Sequence, residues 1–402
     1  MNVLFLSELF HPHGSGAEFA TYLYANAVSE AGFNVVVVTN RFGGEPEVSK
    51  KGNLTIYRLP LFKEMESVKY SILKRVDVLL SGFARKMMRW TDVVYIPRFW
   101  FSAIPLAKIY RKPVITHLHD YIPVCPLANL YETPEETVCN CNSLFCSPTC
   151  IYMYERNRGR ALVENLKSIM LNSTFGRYAG KLISLSDAVI CVSKGQRNLI
   201  AARTPSLNPR IHVVYNPLPN LSYTPLEGDD FVYFGGSSIT KGFHVLNQAL
   251  AKITGKRMTV KVAGFAQFTN EIVQLPNGVR IERYGRIYGE AMQNAYRSSR
   301  AVIFPSICPE PLPYVIYEAL LRGRIVIASN IGGIPEQVDD CPGCFLFSPG
   351  NHGELADLIQ HVSLLNRNEA SELGRQNRQV VLSKNQNRNS LSNFIRIVEN
   401  LT

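Results

Sequence analysis

The stretch Ala301-Val-Ile-Phe-Pro305-Ser-Ile-Cys-Pro-Glu310-Pro-Leu-Pro-Tyr-Val-Ile-Tyr-Glu318-Ala-Leu320 decides the fold. Ala301–Pro305 is a short apolar run closed by proline, the pattern of a strand buried on both faces. The residues after it are too rich in proline to continue the strand, and a helix carrying Glu318 follows. A second buried run, Ile325–Ser329, and Gly332-Gly-Ile-Pro-Glu336 follow. Strand, loop, helix and strand make one parallel βαβ unit. Glu310 then stands in a loop at the carboxyl edge of a sheet, and Glu318 on the following helix. Open α/β sheets use that edge for ligands.

The same alternation runs outward in both directions. Towards the carboxyl terminus, Cys344–Phe347 is a last short strand and helical segments follow from Gly353. Upstream, Phe231–Gly235, Thr259–Ala263 and Val279–Tyr284 are strands of the same sheet. Before Tyr215-Asn-Pro-Leu-Pro-Asn-Leu-Ser-Tyr-Thr-Pro225, which has the composition of a linker, lies a second series. Its strands are Val3–Ser7, Val35–Thr39, Asp92–Ile96, Pro113–His117 and Ala188–Val192, and Ala17–Ala31 is a helix ended by Gly32. The chain is therefore expected to be α/β, with a first Rossmann-like domain over 1–217, a second over 218–385 and a terminal helix, 386–402, packing back on the first. An insertion rich in cysteine occupies about 121–155.

A chain of 402 residues suits two such domains. Glu8 interrupts the first apolar run before a signal-peptide core could form, and no stretch reaches membrane-spanning length. A cytoplasmic chain is expected, with a peripheral contact at the inner membrane face left open. Residues 1–220 hold 25 Lys and Arg against 16 Asp and Glu, whereas 221–402 hold 18 against 16. The basic surface belongs to the first half and favours anionic partners.

Three further segments carry candidate chemistry. Tyr233-Phe-Gly235-Gly236-Ser237-Ser238-Ile-Thr-Lys241-Gly242 places a lysine at a helix start beside glycine and serine amides, a phosphate clamp in charge and geometry. Gly14-Ser-Gly16-Ala-Glu18 is a glycine loop before a helix. It lacks the third glycine and the acid after the second strand that a dinucleotide fingerprint requires. Leu118-His119-Asp120-Tyr121 follows a strand and can present an imidazole to a hydroxyl.

With Glu310, seven residues and Glu318 as its most specific element, the pattern resembles glycosyltransferase family 4 over most of the chain. The resemblance implies a GT-B fold, two Rossmann-like domains facing a central cleft, and retaining transfer from a nucleotide diphosphate sugar. It implies that Glu310 contacts the donor sugar, Glu318 the ribose, and Lys241 the diphosphate together with Gly235, Gly236, Ser237 and Ser238. Leu312, Pro313 and Tyr314 complete the donor loop. Gly16, in the glycine loop, would approach the donor phosphates, and Gly14, His119 and Asp120 would line the acceptor side of the cleft. Asn216 resembles a hinge residue and equally suits a turn before proline. His119, Glu310 and Lys241 are the expected catalytic groups. No cofactor is expected beyond a UDP- or GDP-sugar donor substrate, no metal for catalysis, and no nucleic acid partner. The acceptor is a glycan or a lipid-linked molecule. Gly236 stands where the family usually has arginine, and Pro313 where glycine is common. A nucleotide-sugar 2-epimerase or an inactive sugar-nucleotide-binding protein thus remain alternatives.

Two features fall outside the resemblance. Cys125, Cys139, Cys141, Cys146 and Cys150 are five of nine cysteines. Their spacing allows a metal cluster, disulfides or free thiols. Between Lys63 and Arg89, Lys69, Lys74, Arg75, Arg85, Lys86 and Arg89 interleave with apolar residues, which suits either a helix packed on the first domain or an interfacial membrane helix.

Overall fold

The apolar runs form the centres of two sheets, because a parallel strand covered by helices on both faces buries every side chain. The computed structural model describes residues 1–63, 76–132, 137–139, 148–156, 159, 161–255, 257–265 and 270–402. The chain divides into one unit of Met1–Pro217 with Asn389–Thr402 and another of Leu218–Arg388. The expected α/β class is what the two sheets show.

Among the described residues the main sheet of the first unit has eight strands, in the order Ile211–Val213, Ala188–Cys191, Val114–Leu118, Val93–Ile96, Asn2–Leu6, Asn34–Asn40, Leu54–Leu59 and Val48–Lys51. All pairs are parallel except the last, where Val48–Lys51 runs back along Leu54–Leu59. Val3 sits between Val35 and Val93, and all three are buried. The helix Gly16–Glu30 begins with a capping box in which the backbone N–H of Ser15 donates to Glu18 at 2.7 Å.

The second unit orders its strands Asn270–Gln274, Val279–Gly285, Met258–Phe265, Asp230–Tyr233, Ser299–Phe304, Ile325–Ser329 and Cys344–Phe347. Only Asn270–Gln274 is antiparallel to its neighbour. The helix Arg367–Arg388 ends at Asn389, whose φ of 44° breaks it before Ser390–Asn400. That last helix belongs to the first unit. Its Phe394 is fully buried, with ring centroids 4.5 Å from Tyr24 and 5.1 Å from Tyr95. Burying a phenylalanine contributes about 1.5–3 kcal/mol.

The basic segment is not one helix where it is described. Val76–Leu80 and Gly82–Trp90 are separated at Ser81, whose hydroxyl caps the second by accepting from the N–H of Ala84 at 3.1 Å. Leu79, Met87 and Met88 turn into the core while Arg85, Lys86 and Arg89 are exposed. Lys69, Ile72, Leu73, Lys74 and Arg75 lie outside the described residues. Among the described residues no helix is long and apolar enough to cross a membrane.

Candidate active site

In the second unit the site is assembled by loops leaving two adjacent strands at their carboxyl ends. Asp230–Tyr233 pairs with Ser299–Phe304, so the segment carrying Lys241 and the segment carrying Glu310 emerge side by side. They are stitched together: Ile307 donates its N–H to the Thr240 carbonyl at 3.1 Å, and the Ser306 hydroxyl lies 3.0 Å from the same oxygen. Lys241 Nζ donates to Glu310 Oε1 at 2.5 Å. The Ser306 hydroxyl is 3.1 Å and the Cys308 thiol 3.7 Å from that carboxylate oxygen. Burial opposes the charge on Lys241, but the Glu310 carboxylate outweighs it and holds the ammonium pKa above its ordinary value. Burial and the same carboxylate push the Cys308 thiol up to about 12, so it stays protonated and is no nucleophile at neutral pH.

Glycines let the backbones come this close. Gly236 has φ +56°, and a Cβ there would stand 2.3 Å from the Gly264 carbonyl oxygen. Its N–H bonds the Ala263 carbonyl at 3.0 Å. The absence of the family's arginine is thus a property of the backbone path and not a mere exchange of side chains. Gly332, at φ +64°, would place a Cβ 2.3 Å from the Glu310 carbonyl oxygen, which also accepts from Gly333 N–H at 2.8 Å. Gly235 and Ser238 lie in the Lys241 loop, where the Lys241 N–H approaches the Ser238 hydroxyl at 3.4 Å, and Ser237 is exposed. The helix Phe243–Lys252 follows with no side-chain cap at its amino end. Leu312 and Tyr314 are buried, and the Pro313 carbonyl accepts from the buried Gln337 amide at 3.1 Å. Glu318, on the helix Tyr314–Leu321, is half-buried and accepts from the Tyr296 hydroxyl at 3.1 Å. Burial raises its pKa, against the opposing pull of Arg322 and Tyr296. A cavity of about 770 Å³ in this unit, lined by Asp230, Met258, Arg280 and Arg300, lies at the amino ends of the strands and not with these groups.

The first unit contains a charged cluster that motif reading missed. Glu8 and Glu18, both almost fully buried, flank Arg98, with Nε 3.7 Å from Glu8 and a terminal nitrogen 3.3 Å from Glu18. Burial raises the Glu8 pKa to about 7 despite Arg98. Glu18 is also buried, yet Arg98 and the Ser15 hydrogen bonds carry its pKa below the ordinary value. Beside the cluster, burial and then Arg98 lower the His119 pKa to about 3, so its imidazole is neutral. It stacks on His117 at 4.4 Å, and its buried Nε2 has no hydrogen-bond partner among the described residues. His117 is the deeper of the two, with Nδ1 2.8 Å from the Tyr95 hydroxyl. The loop is held by buried Gln196, which donates to the carbonyls of Leu118 at 3.1 Å and Asp120 at 2.9 Å. Asp120 itself accepts from the Ile122 N–H at 3.0 Å. Gly14 has φ +99° and lies over the Glu18 carboxylate, Gly16 opens the helix, and Asn216 is buried. Arg98 follows Pro97 at the end of Val93–Ile96, and its position at a strand's carboxyl end was the one signal in the sequence.

The Glu8 shift has a testable consequence. A folded-state pKa above the unfolded one gives stability that is complete below about pH 4.5 and is lost as pH rises through about 7. Glu8→Gln keeps the shape of the protonated acid. Its stability relative to the native chain should therefore rise by about 2–3 kcal/mol between pH 5 and pH 8.5, read by urea unfolding at both. A constant difference would remove Glu8 as a buried titrating group.

Of the clustered cysteines, Cys125, Cys139 and Cys150 are buried, and Cys141 and Cys146 lie outside the described residues. Among the described residues no three metal-ligating side chains converge.

Two family models match the chain, one for glycosyl transferases group 1 over residues 224–380 and one for glycosyltransferase family 4 over 14–219. Among solved structures, sucrose-phosphate synthase from Thermosynechococcus elongatus superposes with a TM-score of 0.70 at 17% identity, covering 100% of this chain and 98% of that one. Anabaena HepE in complex with UDP-glucose gives 0.61 at 20% identity, covering 98% and 100%. The fold is thus GT-B. The family 4 model alone spans more than half of the sequence, and the chain belongs to glycosyltransferase family 4. An alpha-maltose-1-phosphate synthase of Mycolicibacterium smegmatis is 29% identical over 185 residues, 39% of this chain and 47% of that one. A sulfoquinovosyl transferase of Arabidopsis thaliana is 26% identical over 145 residues, 35% and 28% of the two chains. The chain spans less than half the length of these curated relatives.

Proposed function

We propose that the chain transfers a glycosyl group, with retention, from a nucleoside diphosphate sugar to an acceptor hydroxyl. The observation that carries this reading is the Lys241–Glu310 pair at the carboxyl edge of the second sheet. An ammonium bonded once to Glu310 keeps two N–H donors for phosphate oxygens. As the glycosidic bond to phosphate breaks, negative charge grows on the diphosphate. A cation fixed in advance answers it without reorganisation. Glu310 accepts from donor-sugar hydroxyls, and Glu318, held by Tyr296, accepts from the ribose. The leaving phosphate takes the acceptor proton during front-face attack, so no carboxylate nucleophile is invoked. In the first unit His119 is a neutral imidazole whose buried Nε2 has no hydrogen-bond partner among the described residues, suited to a sugar hydroxyl rather than to a charge.

HepE holds UDP-glucose, and a trehalose-6-phosphate protein from E. coli of the same fold is bound with UDP-2-fluoro glucose. UDP-sugars are therefore the first donors to try, with GDP-sugars beside them. Calorimetry with UDP and GDP, followed by transfer assays against soluble glycans and lipid-linked acceptors, tests the proposal. Micromolar binding and acceptor-dependent release of nucleotide are expected. Binding without transfer to any acceptor would leave a binding protein, and epimerised donor without acceptor would make it an epimerase.

The acceptor is proposed to be presented at a membrane. The helix Leu162–Ile183 is inverted in its first half: Asn165, Ser168 and Asn172 face inward, Ser168 donating to the buried Glu155 at 2.7 Å. Leu162, Val163, Leu166 and Met170 are instead 58–64% exposed, beside exposed Lys167. An outward apolar stripe on a basic domain suits an anionic lipid surface. Flotation with anionic vesicles should recover the protein, and Leu166→Glu with Met170→Glu should reduce recovery several-fold. Equal recovery with neutral vesicles, indifferent to the substitutions, would remove this reading.

A further inference from the structure

In the second unit, the sequence Cys341-Pro-Gly-Cys344 closes a tight turn between the helix Ile334–Val338 and the strand Cys344–Phe347. The Cys344 N–H donates to the Cys341 carbonyl at 3.1 Å, the bond of a four-residue β-turn. Such a turn keeps its first and last Cα atoms within about 7 Å, and disulfides span about 4.4–6.8 Å between Cα atoms. Both ends are fixed. Cys344 pairs with Val326, whose N–H bonds the Gly343 carbonyl at 3.0 Å. Asn377 accepts from the Gly343 N–H at 2.8 Å and donates to the Arg324 carbonyl at 3.1 Å. A Cβ on Gly343 would meet that amide at 2.7 Å, which explains glycine inside the turn.

The surroundings favour reaction at one sulfur. Cys341 is buried, Cys344 is half-buried, and Pro342, Asp339 and Asp340 are exposed, so the turn lies at the surface. The neighbouring Cys344 thiol lowers the pKa of Cys341 against the effect of burial. Lys384, whose ammonium is 3.4 Å from Asp339 and 3.0 Å from Asp340, adds to the lowering, and those two carboxylates oppose it. Cys344 is correspondingly pushed up by burial and by its bond to Cys341. Two thiols side by side, the first made more acidic and the second less, give the asymmetry that thiol–disulfide exchange uses.

We propose that Cys341 and Cys344 form a dithiol site that exchanges reversibly with small disulfides of the glutathione class. The Cys341 thiolate attacks one sulfur of the small disulfide and expels the other as thiolate, leaving a mixed disulfide on Cys341. Cys344 then loses its proton, attacks the Cys341 sulfur and releases the second small thiolate. In sum two protein thiols are oxidised by two electrons, one small disulfide becomes two thiols, and the backbone stays in place.

The test equilibrates the reduced full chain with graded mixtures of oxidised and reduced glutathione, blocks free thiols by alkylation and reads the peptides by mass spectrometry. An internal Cys341–Cys344 disulfide should accumulate as the mixture becomes more oxidising and disappear on re-reduction. Cys344→Ser should stop the reaction at the first step, with glutathione retained on Cys341. Full alkylation of both cysteines at the most oxidising mixture would overturn the proposal. So would a Cys344→Ser chain, folded by circular dichroism, that retains no glutathione at Cys341.

Discussion

Lys241→Ala is expected to slow single-turnover transfer by about 10²–10³-fold, the usual cost of removing one preorganised group from a developing charge. It should also weaken binding of the free nucleoside diphosphate, since the same ammonium contacts phosphate in the ground state. Stability should fall as well, because the substitution leaves Glu310, only 9% exposed, with Ser306 and Cys308 as its remaining partners at Oε1. Adding Glu310→Gln to Lys241→Ala should recover part of that stability without recovering transfer. Glu310→Ala alone should cut transfer steeply and leave nucleotide affinity near that of the native chain, because its proposed partner is the sugar. Glu318→Ala should do the reverse and weaken nucleotide binding by about 1.5–3 kcal/mol, the value of a hydrogen bond to a charged group. Calorimetry beside single-turnover assays separates the three. Folded variants that all match the native chain in both measurements would refute the site.

The sequence exposed the parts of this fold whose burial is complete. Ile325–Ser329 was legible to the residue, and Val93–Ile96 and Ala188–Cys191 to within one, because a central parallel strand must be apolar along its length; Cys344–Phe347, an edge strand only partly buried, was legible as a short apolar run. Asn270–Gln274, Val48–Lys51 and Ile211–Val213 were not. They are edge strands with side chains largely in solvent, so Asn-Glu-Ile-Val-Gln carries no buried run to notice. The candidate site divides in the same way. Lys241, Glu310 and His119 follow buried strands and could be located by counting from them. Arg98, Glu8 and Ser306 also follow buried strands, but their roles were not legible, since their meaning comes from side chains brought from other segments: Arg98 matters because Glu8 and Glu18 converge on it.

Gly236→Arg would supply the cation that the family usually carries, and it is expected to harm the protein rather than improve it. At φ +56° an L-residue occupies left-handed backbone, and any Cβ meets the Gly264 carbonyl oxygen at 2.3 Å. Gly264, itself at φ +108°, approaches Gly236 from the other side, and the Gly236 N–H is committed to Ala263. Neither backbone can give way without breaking that bond. Strain of this kind costs on the order of 1–3 kcal/mol per residue, and the contact adds to it, so a loss of about 2–4 kcal/mol is expected in urea unfolding. Gly236→Ala separates the causes: it keeps the backbone penalty and adds no charge, so it should lose nearly as much. Displacing Gly236 also moves the segment that carries Lys241, five residues on. Nucleoside diphosphate binding should consequently weaken in both variants, although arginine adds a positive charge. If Gly236→Arg instead bound the nucleotide more tightly at unchanged stability, the loop would have a second backbone path in which this position serves as the missing phosphate ligand.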